Sequence, residues 1–501
     1  MILKSKRYDF RKVEPKWQSF WEEHGLYRFD REDRTRPTFA IDTPPPYPSG
    51  EFHVGNALNH AYIDFAARYK RMRGYNVLFP QGWDCHGLPT EVRVERTLGK
   101  PKREIPEEEF LELCREFTLK WIKPMKEAIK RLGCSIDWTT EYMTMDPDYW
   151  RRTQLSFILM YKKGLVYRGE HPVFWCPRCE TAIAEAEVEY REVRRKLYYY
   201  YFELVGGGRV PVASTRPELI GACVALLVHP DDERYRGVLG REAILPIYGR
   251  RVPIIADRDV DPEFGTGVVM VCTYGDKTDV KWQKRHSLPV VKLLDERGRM
   301  TELAGPLAGL GVEEARRKIV ELLEEGGALF REEIVVSEIG TCWRCHTPVE
   351  ILPKEQWFVR TIELSDRVLK AACEIKWIPE YAKKRLEDWV NSLDWDWPIS
   401  RQRVFATPIP VWYCEECGEV VVAEPDWLPV DPRREPPKID RCPRCGSRNF
   451  RGERDVMDTW MDSSITAAVH AGWPDRLDER LFPADLQPNG YDIIRTWDYY
   501  L

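Results

Sequence analysis

The sequence predicts an α/β chain: helices on a parallel sheet, interrupted by a β-rich insertion and fastened by small metal-binding knuckles. Three observations predict it. Thr38-Phe39-Ala40-Ile41 reads as a short buried strand that runs through a Pro- and Gly-rich loop, Asp42 to Asn56, into a helical pattern from Ala57 to Met72. Residues 190–340 change to short β-rich runs separated by turns such as Gly206-Gly207-Gly208. Eight of the fourteen cysteines fall in four C-x-x-C pairs: Cys176/Cys179, Cys342/Cys345, Cys414/Cys417 and Cys442/Cys445.

Composition bounds the reading. At 501 residues the chain has room for roughly three domains. A net charge of −5 leaves no global basic footprint, so a nucleic-acid partner would meet local basic patches. Met1-Ile2-Leu3-Lys4-Ser5-Lys6 is not an apolar signal segment, and no run is long enough to span a membrane, so a cytoplasmic location is expected. There the paired cysteines read as zinc ligands rather than disulfides. Cys85, Cys114, Cys134, Cys223, Cys272 and Cys373 show no such spacing and read as small core residues.

In order, residues 1–36 are a helical extension whose Trp17, Phe20 and Trp21 share one face and are expected to pack on the core. In the next helix the apolar positions are Leu58, Ala61, Tyr62, Phe65 and Tyr69. Prolines stiffen the loop before it, and Gly50 and Gly55 allow close backbone approach. A helix starting there aims N–H groups at an anion such as phosphate, and His53 adds a donor. Val77-Leu78-Phe79-Pro80 is a second buried strand, and the Gly82–Gly87 turn lies at its carboxyl end, where open parallel sheets bind ligands. Asp84 there is suited to an α-ammonium. Glu107 to Lys123 is helical, with Pro124 expected to kink or restart it before Leu132, and Trp150 to Lys163 is helical up to Gly164. In the insertion, Leu197–Leu204, Val210–Ala213 and Val268–Thr273 read as strands. Cys176/Cys179 and Cys342/Cys345 are expected to share one zinc across the insertion, with His346 as an alternative fourth ligand, and Cys414/Cys417 with Cys442/Cys445 form a zinc ribbon at 412–450. Arg401 and Arg403 are candidates for a phosphate group.

Pro45-Pro46-Tyr47-x-x-Gly50-x-x-His53-Val54-Gly55-Asn56, followed by Gly82-Trp83-Asp84-Cys85-His86-Gly87-Leu88-Pro89-Thr90-Glu91, resembles the first signature of class I aminoacyl-tRNA synthetases in their valyl/isoleucyl/leucyl branch. Asn56 stands where that signature ends in His. The resemblance implies a Rossmann-like catalytic domain in two parts, 37–189 and 341–501, interrupted by an editing domain at 190–340. It implies ATP, with Mg2+, at Pro45, His53, Gly55, Asn56, Gly490 and Asp492. It implies an amino-acid pocket at Pro45, Asp84, Trp460 and Trp397, and catalytic roles for His53, Asn56 and Asp84. Ser214-Thr215-Arg216-Pro217-Glu218 and Tyr274-Gly275-Asp276-Lys277-Thr278-Asp279 resemble editing-domain segments, which implies Thr215, Arg216, Asp276 and Asp279 as editing residues. His229-Pro230-Asp231-Asp232 favours valine as the amino acid and the valine tRNA as partner, with isoleucine as the alternative. A valine pocket discriminates isosteric threonine only about 10²-fold, a known case for this enzyme type, so a hydrolytic second site is needed. A free-standing editing deacylase is a further alternative. The Lys-Met-Ser-Lys-Ser loop and helical anticodon-binding domain of the family are expected beyond residue 501 or on a second chain. Activation by this chain alone is therefore expected to be poor.

Overall fold

The structure, a computed structural model, describes residues 8–48, 50 and 52–501. The chain forms two compact units, Met1–Tyr167 with Trp357–Leu501, and Arg168–Gln356.

In the first unit, strand Thr38–Ala40 pairs in parallel with Asn76–Leu78, placing Phe39 opposite Val77. After helix α1 (Phe10–Glu23), helix α2 (Val54–Met72) makes the crossover between these strands, as a parallel pair requires. Ile41 adds a parallel bridge to Leu486, which brings the chain's last stretch beside the loop. Helices α3 (Leu88–Leu98), α4 (Glu107–Leu132) and α5 (Pro147–Lys162) follow. One core holds Phe39, Val77, Phe79 and Trp83 with Ile63 and Ala67 of α2 and Phe110 and Ile129 of α4. α4 runs through Pro124 as one helix rather than restarting there.

The apolar pattern does not decide the buried face of α2, and the packing face expected of α1 is corrected. On α2, Leu58, Tyr62, Phe65 and Tyr69 are 52 to 65% exposed, and the helix buries His60, Ile63, Asp64 and Ala67 instead. Polar residues can face inward here because they are satisfied. Asp64 accepts hydrogen bonds from the Ser135 amide and hydroxyl and pairs with Arg68 at 2.6 Å. On α1, Trp17 and Phe20 are exposed and no residue is fully buried. Of the three aromatic residues, Trp21 alone is partly covered, beside Tyr27 and beneath the Arg68 guanidinium.

The second unit is built on a seven-stranded sheet. Its order is Val268–Cys272, Cys223–Val228, Arg251–Ala256, Glu242–Ile244, Val188–Leu204 and Leu329–Cys342, with Arg209–Ser214 also paired to Val188–Leu204. Arg251–Ala256 and Cys223–Val228 are parallel, and the other pairs are antiparallel. Helices α6 (Lys277–Arg285) and α7 (Val312–Glu325) complete it. The strand expected at 197–204 begins at Val188 and forms a long ribbon, Val188 opposite Cys342 and Tyr200 opposite Leu329. Residues 189–196 are polar on both faces, so they carry no alternation to read. Among the described residues no helix is long and apolar enough to cross a membrane.

Candidate active sites and metal centres

The loop leaving Thr38–Ala40 delivers His53 to the N-cap of α2. His53 Nδ1 accepts from the amides of Gly55 (3.1 Å) and Asn56 (3.4 Å), while Asn56 Oδ1 accepts from the His53 amide at 3.2 Å. This reciprocal box occupies two of the N–H groups expected to face an anion. A Cβ at Gly55 would lie 3.0 Å from the His53 ring, so the glycine permits the ring's approach. Pro45 is buried in the same loop. Ser49 and Glu51 lie outside the described residues.

Asp84 is 2% exposed. Its amide donates to the Pro46 carbonyl at 3.1 Å, and Oδ1 accepts from Thr459 Oγ1 at 2.8 Å. Its placement depends on Gly82, where a Cβ would collide with the Tyr142 ring at 2.1 Å. Burial, and then the charge of Asp462, push the Asp84 carboxyl well above the usual carboxylate range. Asp462 itself is satisfied by His86 Nδ1 (3.0 Å), Thr153 Oγ1 (2.8 Å) and Thr407 Oγ1 (2.7 Å). Trp150 Nε1 donates to His86 Nε2 at 3.3 Å, which holds the ring with Nδ1 toward Asp462. Asp84 and Asp462 thus form an acidic pair within one buried site.

Asp42, at the strand end, adds a further carboxyl. Oδ2 accepts from Thr466 Oγ1 at 3.1 Å, Oδ1 has no hydrogen-bond partner, and burial raises the group to about 7. Stability from this group is fully present below its unfolded value of 3.8 and is lost as pH rises through about 7. Asp42→Asn is therefore expected to stabilise the chain at pH 8, by about 4 kcal/mol, and to be near neutral at pH 4. Urea denaturation at the two pH values measures this, and an equal shift at both would refute it.

Trp460 follows Thr459 and is buried. Trp397 stacks on Tyr500 at 3.7 Å and donates to Asp458 Oδ2 at 2.9 Å. Gly490 and Asp492 lie exposed at a single 3-10 turn, Tyr491–Ile493. The structure thus brings Asp84 against Thr459 and gathers His53, Gly55 and Asn56, but leaves Asp492 in solvent. Arg401 and Arg403 are corrected: neither is open to phosphate. Arg401 pairs with Asp458 at 2.6 Å and Arg403 with Glu91 at 2.5 Å, all four buried. Sequence reading missed Asp42, His86, Thr459, Asp462 and Asp498, whose carboxyl burial raises to about 7. Asp462 and His86 are 376 positions apart, and no local spacing announces their pairing.

In the second unit, the 213–223 and 272–279 segments meet where Cys223 pairs with Cys272. Arg216 donates to the Gly275 carbonyl (3.2 Å) and pairs with Glu218 (3.2 Å) and Glu350 (2.8 Å). Its guanidinium is thus tied into the fold. Asp276 caps α6 through the amides of Thr278 and Asp279. Asp279 is buried, accepts from the Gly275 amide at 3.0 Å, and is pushed well above the carboxylate range by burial and then by Asp276. Tyr274 holds a left-handed φ of 61°, a strained backbone beside a cavity of about 240 Å³ that Thr273, Tyr274 and Leu219 help line. Thr215 is half-buried.

Two groups of four cysteines could each hold a metal ion: Cys176, Cys179, Cys342 and Cys345, and Cys414, Cys417, Cys442 and Cys445, each with ligand atoms within 4.8 Å of one another. Sulfur separations within them include 3.4 Å (Cys176–Cys345), 3.5 Å (Cys414–Cys445) and 3.6 Å (Cys417–Cys442). A tetrahedral thiolate site with zinc–sulfur bonds near 2.3 Å needs about 3.8 Å, so the donor set fits. His346 is not the fourth ligand. It occupies a left-handed φ of 61° after its Cys pair, as Gly418 (71°) and Gly446 (77°) do after theirs, and its Nδ1 contacts Arg191 at 2.7 Å.

Curated relatives match nearly the whole chain. A valine–tRNA ligase of Methanopyrus kandleri is 57% identical over 98% of this chain and 56% of its own length. One of Archaeoglobus fulgidus is 55% identical over 99% and 56%. The chain therefore spans little more than half the length of these relatives. Among solved structures, the LeuRS of Agrobacterium radiobacter K84, determined in a ternary complex with tRNA and LeuAMS, is 21% identical with a TM-score of 0.52, covering 99% of this chain and 64% of that one. The fold is thus that expected from the loop and strand motifs. The family model for tRNA synthetases class I (I, L, M and V) matches residues 16–501, and the chain belongs to that family.

Proposed function

We propose that this chain carries the activation and editing sites of a valine–tRNA ligase. Valine and ATP with Mg2+ would give valyl-adenylate and pyrophosphate, and the valyl group would pass to the valine tRNA. The observation that carries the reading is the buried Asp84 carboxyl, held by Thr459 beside Asp462, with no cationic partner recorded for it among the described residues. Such a site gains most from an α-ammonium, which supplies the missing charge. Pro45 and Trp460 would wall the side-chain pocket, with Trp397 behind them. His53, Gly55 and Asn56 would face the ATP phosphates, and Gly490 and Asp492 the ribose, the latter requiring the exposed turn to close on the nucleotide. Residues 37–189 and 341–501 would form the catalytic domain, and 190–340 the editing domain. The 52–57% identity to valine–tRNA ligases supports valine over isoleucine.

In the editing domain, Asp279 would grip the α-ammonium of a misplaced threonyl ester, with Thr215 and Asp276 orienting the water or ribose end. Arg216 would brace the two segments. Each four-cysteine group would hold one zinc with every coordination position filled by protein, a structural rather than catalytic arrangement.

The test is hydrolysis. This chain is expected to deacylate valine tRNA charged with threonine in preference to the same tRNA charged with valine, and Asp279→Ala to slow the threonyl reaction about 100-fold. Equal hydrolysis of both esters, or full activity in the variant, would overturn the editing assignment. In ATP–pyrophosphate exchange by the longer enzyme, preference for isoleucine would overturn valine.

A further inference from the structure

We propose that the outward face of α2 is the seat of an α-helix from the polypeptide that the curated relatives carry beyond the part matched here. Leu58, Tyr62, Phe65, Tyr69 and Met72 are 52, 62, 65, 55 and 79% exposed. They follow one another at intervals of four, three, four and three residues, the spacing of a helix–helix seam. The stripe runs about 21 Å along the helix. Tyr62 and Phe65 already pack edge to face, with centroids 6.4 Å apart, so part of the stripe is a formed surface rather than scattered side chains. Single exposed apolar residues are ordinary, but a continuous stripe of five marks an interaction site.

The spacing and the charges choose the occupant. A knobs-into-holes seam is complementary to another helix, not to a strand or a loop. Of the charged residues flanking it, Arg68 is paired with Asp64, which leaves Arg73 as the exposed one, and it is basic. A second copy of α2 would set like charges against each other, whereas a helix with acidic flanks would be attracted. The relatives' own length supplies the source, since the matched part accounts for only 56% of it. This inference does not depend on the catalytic reading.

Hydroxyl-radical footprinting tests it without any substrate. Oxidation of Tyr62, Tyr69 and Met72 is followed in this chain and in a polypeptide in which it continues into the remainder of the Methanopyrus kandleri relative. Protection of at least about fivefold is expected in the longer polypeptide, as burial of a hot-spot stripe requires. Phe65→Glu is expected to abolish that protection while leaving the melting temperature of the shorter chain unchanged, because Phe65 is exposed there. Ile334→Glu, at an exposed residue of the other unit, is expected to change neither. Unchanged oxidation in the longer polypeptide would overturn the proposal. So would protection that survives Phe65→Glu, or protection of the shorter chain that grows with its own concentration, which would mean that α2 pairs with itself.

Discussion

Asp84→Asn is expected to lower kcat/KM for amino-acid activation by about 10²- to 10³-fold, the cost of leaving a buried ammonium without its counter-charge. The measurement is ATP–pyrophosphate exchange by a polypeptide in which this chain continues into the remainder of the Methanopyrus kandleri relative, because the chain spans only 56% of that relative's length. Binding and folding move in opposite directions in this variant. The carboxyl is held above its usual range by burial and by Asp462, so ionising it destabilises the free protein, and Asn removes that cost. Asp84→Asn is therefore expected to be no less stable than the parent above neutral pH. An ammonium ligand draws the carboxyl into its charged form, so amino-acid binding releases a proton. The parent's KM is expected to fall as pH rises, and the variant's to be flat over the same interval. A variant that loses activity only in proportion to lost folded protein would refute the assignment.

Removing the zinc proposed for the 411–452 ribbon is expected to unfold it. Its three strands, Val411–Cys414, Val420–Val422 and Phe450–Gly452, are short. Three short strands are marginal alone, so a zinc ion held by the four thiolates would add stability on the order of 10 kcal/mol to the burial of Val411, Trp412 and Tyr413. Cys442→Ser is expected to release one equivalent of zinc and to expose the amides of 411–452 to hydrogen exchange. The second four-cysteine group should keep its own equivalent, because it lies in the other compact unit. Zinc content that stays at two equivalents in the variant, or a ribbon that remains protected after chelation, would refute the structural role.

The positions legible in the sequence share one property: their meaning is local. A C-x-x-C pair presents two thiolates to one ion whatever the rest of the chain does, and four such pairs are found as two complete donor sets. The strand, Pro-rich loop and helix of residues 38–72 are likewise written in neighbouring residues, and the helix begins at Val54 with His53 as its cap. What local spacing could not tell was direction and partnership. α2 has apolar residues on one face and satisfied polar residues on the other. The face that turns inward packs Ile63 and Ala67 into the core and has its Asp64 satisfied by Ser135, 71 positions away. The same holds for Arg401 and Arg403, which read as free cations until Asp458 and Glu91 neutralise them across the fold. It holds for Asp462 and His86, whose pairing sets the charge around Asp84. The sequence by itself determined the family motifs, the metal ligands and the alternation of helix and strand, because these rest on contacts between near neighbours. The tertiary structure decided which charges are spent inside the fold and which apolar stripe is left outside it. Those outcomes depend on long-range contacts, and a one-dimensional period does not encode long-range contacts.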